Sequence, residues 1–146
     1  MAIEWKEGFA IGVNEIDNQH QVLFARLDLL WQAMKEGKEA KEVAELLQFL
    51  SDYARDHFRV EEAMQERFEY PHLALQREEH RYFLKRLAGL RERLDAEGPT
   101  PEVAKLASQF AYQWLVSHIC RVDRVLGDFV NANRNPEWEE WLKNNF

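Results

Sequence analysis

The chain has 146 residues, 31% of them charged and 12% aromatic, with a net charge of −7. That length suits one domain with a real core, and an acidic balance without a basic block argues against nucleic acid or an anionic membrane as partner. No apolar run approaches the roughly 20 residues needed to span a bilayer, the N-terminus has no signal-peptide pattern, and the single Cys120 excludes an intrachain disulfide, so a cytoplasmic globular protein is expected.

In chain order, residues 1–17 read as an irregular arm whose Trp5, Phe9 and Ile11 can pack over one end of a helical body. A first helix is expected over about 18–36, with His20, Phe24, Leu27, Trp31 and Met34 on one stripe, Asp17 as N-cap and Gly37 after its end. The second covers about 40–67 and carries Val43, Leu47, Leu50, Tyr53, His57, Glu61 and Met64 on one face. Pro71 suits the first position of the third, whose stripe is Gln76, His80, Phe83, Leu87, Leu90 and Leu94. After the linker EGPTP at 97–101, a fourth helix runs to about 132 through Val103, Leu106, Phe110, Ala111, Leu115, His118, Val122, Leu126 and Phe129. The tail from 133 to 146 adds a short helix after Pro136, docked by Trp138, Trp141 and Leu142. Long helices joined by short connections favour an all-α, up-down-up-down antiparallel four-helix bundle, with one domain spanning 1–146.

Polar groups on the apolar stripes carry the chemistry, because burying them without partners is costly. One core histidine is ordinarily just a hydrogen-bonded core residue. Here His20, His57 with Glu61, Gln76 with His80, and His118 place such groups on all four helices, and a shared metal site accounts for them together. His57 and Glu61 are i,i+4 neighbours, so one metal can take both. Asp123 lies five residues after His118, about 140° around a regular helix. It reaches the same centre only through a π-bulge; otherwise it is an exposed partner of Arg121 or Arg124. A ferritin-like di-iron site needs Glu-x-x-His on two helices, whereas only Glu69-Tyr-Pro-His72 fits here, with Pro71 breaking it.

EWKEGFAIGVNEIDNQH (4–20), DHFRVEEAM (56–64), EYPHLALQREEH (69–80) and WLVSHICRVD (114–123) resemble the bacteriohemerythrins of the hemerythrin-like family, in order and over about residues 3–126. The resemblance implies a four-helix bundle holding two iron ions, oxo- or hydroxo-bridged, that binds O2. By position, His20 and His57 would ligate the iron with the open site, and Glu61 and Asp123 would bridge the two metals. His80 and His118 would hold the second iron together with position 76. Glu62 has no ligand role in the pattern and is expected at the helix surface. Leu23, Phe24, Phe58, Trp114, Leu115 and Ile119 are candidates for a dry apolar pocket around the centre, and equally for ordinary core packing.

The chain departs from that pattern at Gln76, where the resemblance implies histidine. His72 is no obvious substitute: eight residues from His80, it lies roughly 12 Å along the axis. Gln76 can coordinate weakly through its amide oxygen, leave its position to water, or mark the loss of the second metal. An O2-binding protein for storage, delivery or sensing, with a modified ligand set at one iron, is the leading expectation. The alternative is a di-iron enzyme with peroxidase-like, oxidase-like or nitric oxide-related activity, and peroxide and nitric oxide are further candidate ligands. A third is a metal-handling or structural bundle without gas chemistry.

Overall fold

A computed structural model describes residues 3–146, and among them four rods pack as a helical bundle. The helices are α1 (Asn14–Lys35), α2 (Ala40–Arg67), α3 (Leu73–Glu97), α4 (Pro101–Ser117), α5 (Arg124–Asn133) and α6 (Pro136–Asn145). A π turn, His118–Asp123, joins α4 to α5 into one rod. α1 packs on α2 and α4, and α3 packs on the same two, which is the ring expected of up-down-up-down connections. The expected stripes supply its core: Leu27, Leu50, Met64, Phe83, Leu87, Leu115 and Leu126 are all essentially inaccessible.

Two boundaries differ from the sequence expectation, each for a local reason. α1 begins at Asn14, capped by Val13 rather than Asp17. Asp17 instead sits inside the first turns, buried, and its carboxylate reaches back to accept N–H bonds from Ile11 (2.8 Å) and Gly12 (3.2 Å). A short side chain that satisfies two backbone donors in this way locks the arm onto the helix. α3 begins at Leu73, not Pro71, because Glu69 adopts a left-handed φ of 55° and residues 70–73 form a turn that leaves Pro71 outside the helix. The fourth rod is not a regular helix throughout, since the π turn interrupts it.

The arm and tail close the same end. Trp5 and Phe9 pack on Phe24, with ring centroids 6.0 and 5.4 Å away, and Ile11 is buried. Arg124 donates to the Gly8 carbonyl at 2.7 Å, and Asn131 donates to that of Gly12 at 3.1 Å. α6 is capped by Asn135 and seats Trp138 flat on Phe68 at 3.6 Å, with Leu142 fully buried. Trp141 meets the edge of Phe68 at 6.2 Å.

Gly127 is where the arm crosses the fourth rod: a Cβ there would stand 2.2 Å from the Ile11 carbonyl oxygen. Gly127→Ala is expected to force the arm off and destabilise the protein by about 1–3 kcal/mol. Gly89, within α3, has nothing within 4 Å of a built Cβ. Gly89→Ala is therefore expected to stabilise by roughly 0.5–1 kcal/mol. Urea denaturation of the two variants measures both, and the opposite signs are the test.

Candidate metal centre

Each rod contributes to one polar cluster in the middle of this core. α1 brings His20, α2 brings His57 and Glu61, α3 brings Gln76 and His80, and the π turn brings His118 and Asp123; none is more than 2% exposed. The π turn is what makes the last pair possible. Bonding to the fifth residue rather than the fourth widens the turn, so side chains five apart lie above one another instead of 140° apart. His118 Nε2 and Asp123 Oδ1 come within 3.1 Å as a result.

The four imidazoles address the two carboxylates one oxygen each. His57 Nε2 lies 3.2 Å from Glu61 Oε2, and His80 Nε2 lies 3.2 Å from Glu61 Oε1. His20 Nε2 is 3.3 Å from Asp123 Oδ2, opposite the 3.1 Å approach of His118 to Oδ1. Glu61 and Asp123 thus each join a His20/His57 side to a His80/His118 side. His20, His57 and Glu61 converge closely enough to hold one ion, and Glu61, His80 and His118 to hold another. Two donors bonded at about 2.1 Å and at right angles lie about 3 Å apart, so these separations match ligands around a common point. Both Glu61 oxygens and the Nε2 atoms of His80 and His118 are buried without a hydrogen-bond partner. A cation between them would satisfy every one, so the donor set fits metal ions.

Outside this ring, three imidazoles are held by their other nitrogen. His57 Nδ1 is 2.6 Å from Gln19 Oε1, His80 Nδ1 is 2.8 Å from Glu62 Oε2, and His118 Nδ1 is 3.2 Å from Glu79 Oε1. Such acceptors hold Nδ1 outward and turn Nε2 inward, where it can coordinate a metal once it has lost any proton. His20 Nδ1 has no such partner among the described residues. Glu62, expected as a surface residue, is only partly exposed and serves His80, while Arg77 pairs with it at 3.4 Å. Gln19 and Glu79 escaped sequence reading. The available signal was their adjacency to His20 and His80, which puts them on the shoulder of a stripe, able to bond a histidine on the neighbouring helix.

Gln76 joins the cluster and His72 does not. The Gln76 amide nitrogen donates to Asp123 Oδ1 at 3.0 Å, the same oxygen that His118 approaches. His72 is exposed at the start of α3, with its ring 5.5 Å from that of Tyr70. Of the apolar pocket candidates, Phe58 stacks on His80 at 3.9 Å and Trp114 on His118 at 4.5 Å, covering the second triad. Leu23, Leu115 and Ile119 are buried core residues, and Phe24 faces Trp5, Phe9 and Tyr112. Tyr70, almost fully buried, lines a surface cavity of about 160 Å³ with His72, Leu75, Arg121, Val122 and Val125. Burial and the charges of Asp123 and Glu61 push its phenol up to about 12.

Burial raises both carboxyls, yet the imidazoles more than offset it: Glu61 falls to about 2 and Asp123 drops well below its ordinary value. His118 is opposed by burial but lifted to about 10 by Asp123 and Glu79, and His80 is raised in the same way by Glu61 and Glu62. His57 goes the other way, because burial outweighs Glu61.

The sequence matches the family model "Hemerythrin HHE cation binding domain" over residues 11–130. The chain is 33% identical to a bacteriohemerythrin of Stenotrophomonas maltophilia across 90% of its own length and 83% of that protein. A bacteriohemerythrin of Methylococcus capsulatus is 29% identical across 85% of this chain and 92% of its own. A hemerythrin-like protein of Naegleria gruberi is 30% identical over 79% and 82% respectively.

For the metal-free protein these shifts set a pH profile. The lowered Glu61 contributes stability that is complete above its ordinary 4.5 and lost as pH falls through about 2. The raised His118 contributes stability that is complete below its ordinary 6.5 and lost as pH rises through about 10. Buried His57, lowered instead, costs stability below its unfolded value and trims the acid side further. Urea midpoints of metal-free protein are expected to fall towards both extremes. Metal addition at pH 7 is expected to release protons, because His118, lifted to about 10, must give its proton up to bind; a pH indicator dye reads that release.

Proposed function

The chain belongs to the hemerythrin family, and we propose that it is a non-haem di-iron protein that binds O2, with an altered ligand set at one iron. The observation that carries this reading is the pairing of two shared carboxylates with two pairs of imidazoles. His20 and His57 would hold the first ion, His80 and His118 the second, and Glu61 and Asp123 would be shared between the two. Iron bound there supplies reversible electron donation to O2. The residues of this chain would do the rest: they would hold the ions, exclude bulk water and keep His57, His80 and His118 turned with Nε2 inward.

Gln76 is the modified position. As an amide it is a weaker donor than imidazole. With its nitrogen on Asp123 it fixes that carboxylate rather than a metal. A half-turn of the amide would aim the oxygen at the second ion instead. In either state the second ion has two imidazoles, as the first has, and lacks the third that a histidine at position 76 would add, so it is expected to exchange faster than with histidine there. Its extra open coordination also supports the alternative of an enzyme acting on peroxide or nitric oxide.

Anaerobic ferrous protein exposed to O2 separates these readings. A visible band that appears with O2 and disappears on deoxygenation supports binding, whereas rapid irreversible conversion to the ferric form with turnover of peroxide supports the enzyme. Gln76→His is expected to slow autoxidation and to retain the second iron better during dialysis against a chelator. No change in either would refute the assigned role of Gln76. Loss of an outer acceptor gives a further prediction: Glu79→Ala is expected to weaken metal affinity by roughly 10–100-fold, measured by chelator competition.

A further inference from the structure

A second buried amide stands one helical turn beyond the bridging Glu61. Gln65 is fully inaccessible, and neither its Nε2 nor its Oε1 has a hydrogen-bond partner. Gln76 is equally buried, and its Oε1 is also without a partner. The antiparallel register of α2 and α3 brings the two together. Phe58 meets Phe83 at 6.0 Å and Glu61 meets His80 at 3.2 Å, so one turn onward along α2 and one turn back along α3 sets Gln65 across from Gln76. The Glu66–Arg77 pair at 3.2 Å, one residue further on each helix, closes the same level on the outer side.

Two facing amides that do not bond one another leave three polar atoms facing a dry interior, which native cores rarely tolerate. A water-sized molecule between them resolves all three, as buried waters with two to four polar partners do. We propose that Gln65 and Gln76 form a polar chamber beside the second metal position, which binds one water-sized molecule that both donates and accepts hydrogen bonds. Water is the resident, and hydrogen peroxide has the same chemistry. The chamber works with either orientation of Gln76: its amide offers an acceptor when the nitrogen is on Asp123 and a donor when reversed, and Gln65 presents both kinds of atom. Gln65 is in this sense a positioning residue, because it acts on the centre through the guest and through Gln76.

The metal-centre reading enters only in placing the chamber next to a metal; the chamber itself depends on α2, α3 and the two amides. Its test is therefore made on protein as isolated, whatever its iron content. A crystal structure at high resolution is expected to contain an ordered water within hydrogen-bond distance of both Gln65 and the free atom of Gln76. Soaking with hydrogen peroxide is expected to replace that water by two-atom density.

Gln65→Met keeps the side-chain length but removes both polar atoms. It is expected to empty the chamber and to lower Tm by about 3 °C, as loss of one hydrogen-bonded partner does in a domain of this size. Gln65→Leu is the second variant should methionine pack badly. The proposal is overturned if the two amides bond each other directly with no density between them. It is equally overturned if both apolar variants raise Tm, since that is the response of an amide that was simply unsatisfied. One iron per chain would sink the di-iron reading and leave these outcomes unchanged, so the two failures are distinguishable.

Discussion

Glu61 and Asp123 are buried side by side in the interior of a helical bundle, and their like charges raise one another's cost. Removing an isolated carboxylate from water costs several kcal/mol even after relaxation, so this pair needs compensation from whatever surrounds it. Four imidazoles provide part of it, each oxygen having one Nε2 within 3.1–3.3 Å. Cations held between the carboxylates and the imidazoles would complete it. Much else in the chain follows from holding that arrangement: the π turn that turns Asp123 inward, the acceptors behind His57, His80 and His118, and the arm that closes the bundle through Asp17 and Gly127.

The helices and the inner residues were legible in the sequence because burial imposes a period on the stripe, and polar residues on that stripe are conspicuous. α2 has the expected bounds, and Gln76, His80 and Phe83 face inward as their spacing requires. The π turn was legible only as a condition, since a five-residue step between His118 and Asp123 makes sense on one face in no other way. What the pattern could not yield were side-chain reaches. Asp17 looks like an N-cap because Asp often is one, yet its carboxylate turns back to the arm and the helix starts earlier. Glu62 and Glu79 look like surface acids, because a helical wheel does not reveal that each bends to a histidine. Gln65 escaped because a lone amide one turn past Glu61 has no meaning until α3 is laid against it.

The two halves of the centre are not equivalent. Around His20 and His57 the outer support is one amide, Gln19, and His20 has none. Around His80 and His118 the support is two carboxylates and two stacked aromatics, but the inner set contains an amide at position 76. Strong outer anchoring raises the basicity of the imidazoles on the side where a ligand is weaker. In the proposed di-iron centre the second half would keep a metal that has an open position, and the proposed Gln65–Gln76 chamber would give that position a neighbour suited to water or peroxide.

Anomalous diffraction from crystals of the iron-loaded protein, collected on both sides of the iron edge, tests directly whether two metal ions share Glu61 and Asp123. Two iron peaks per chain are expected, one touching His20 and His57 and the other touching His80 and His118, with both carboxylates between them. A single peak, or a peak absent from the His80/His118 side at full iron loading, would contradict that sharing.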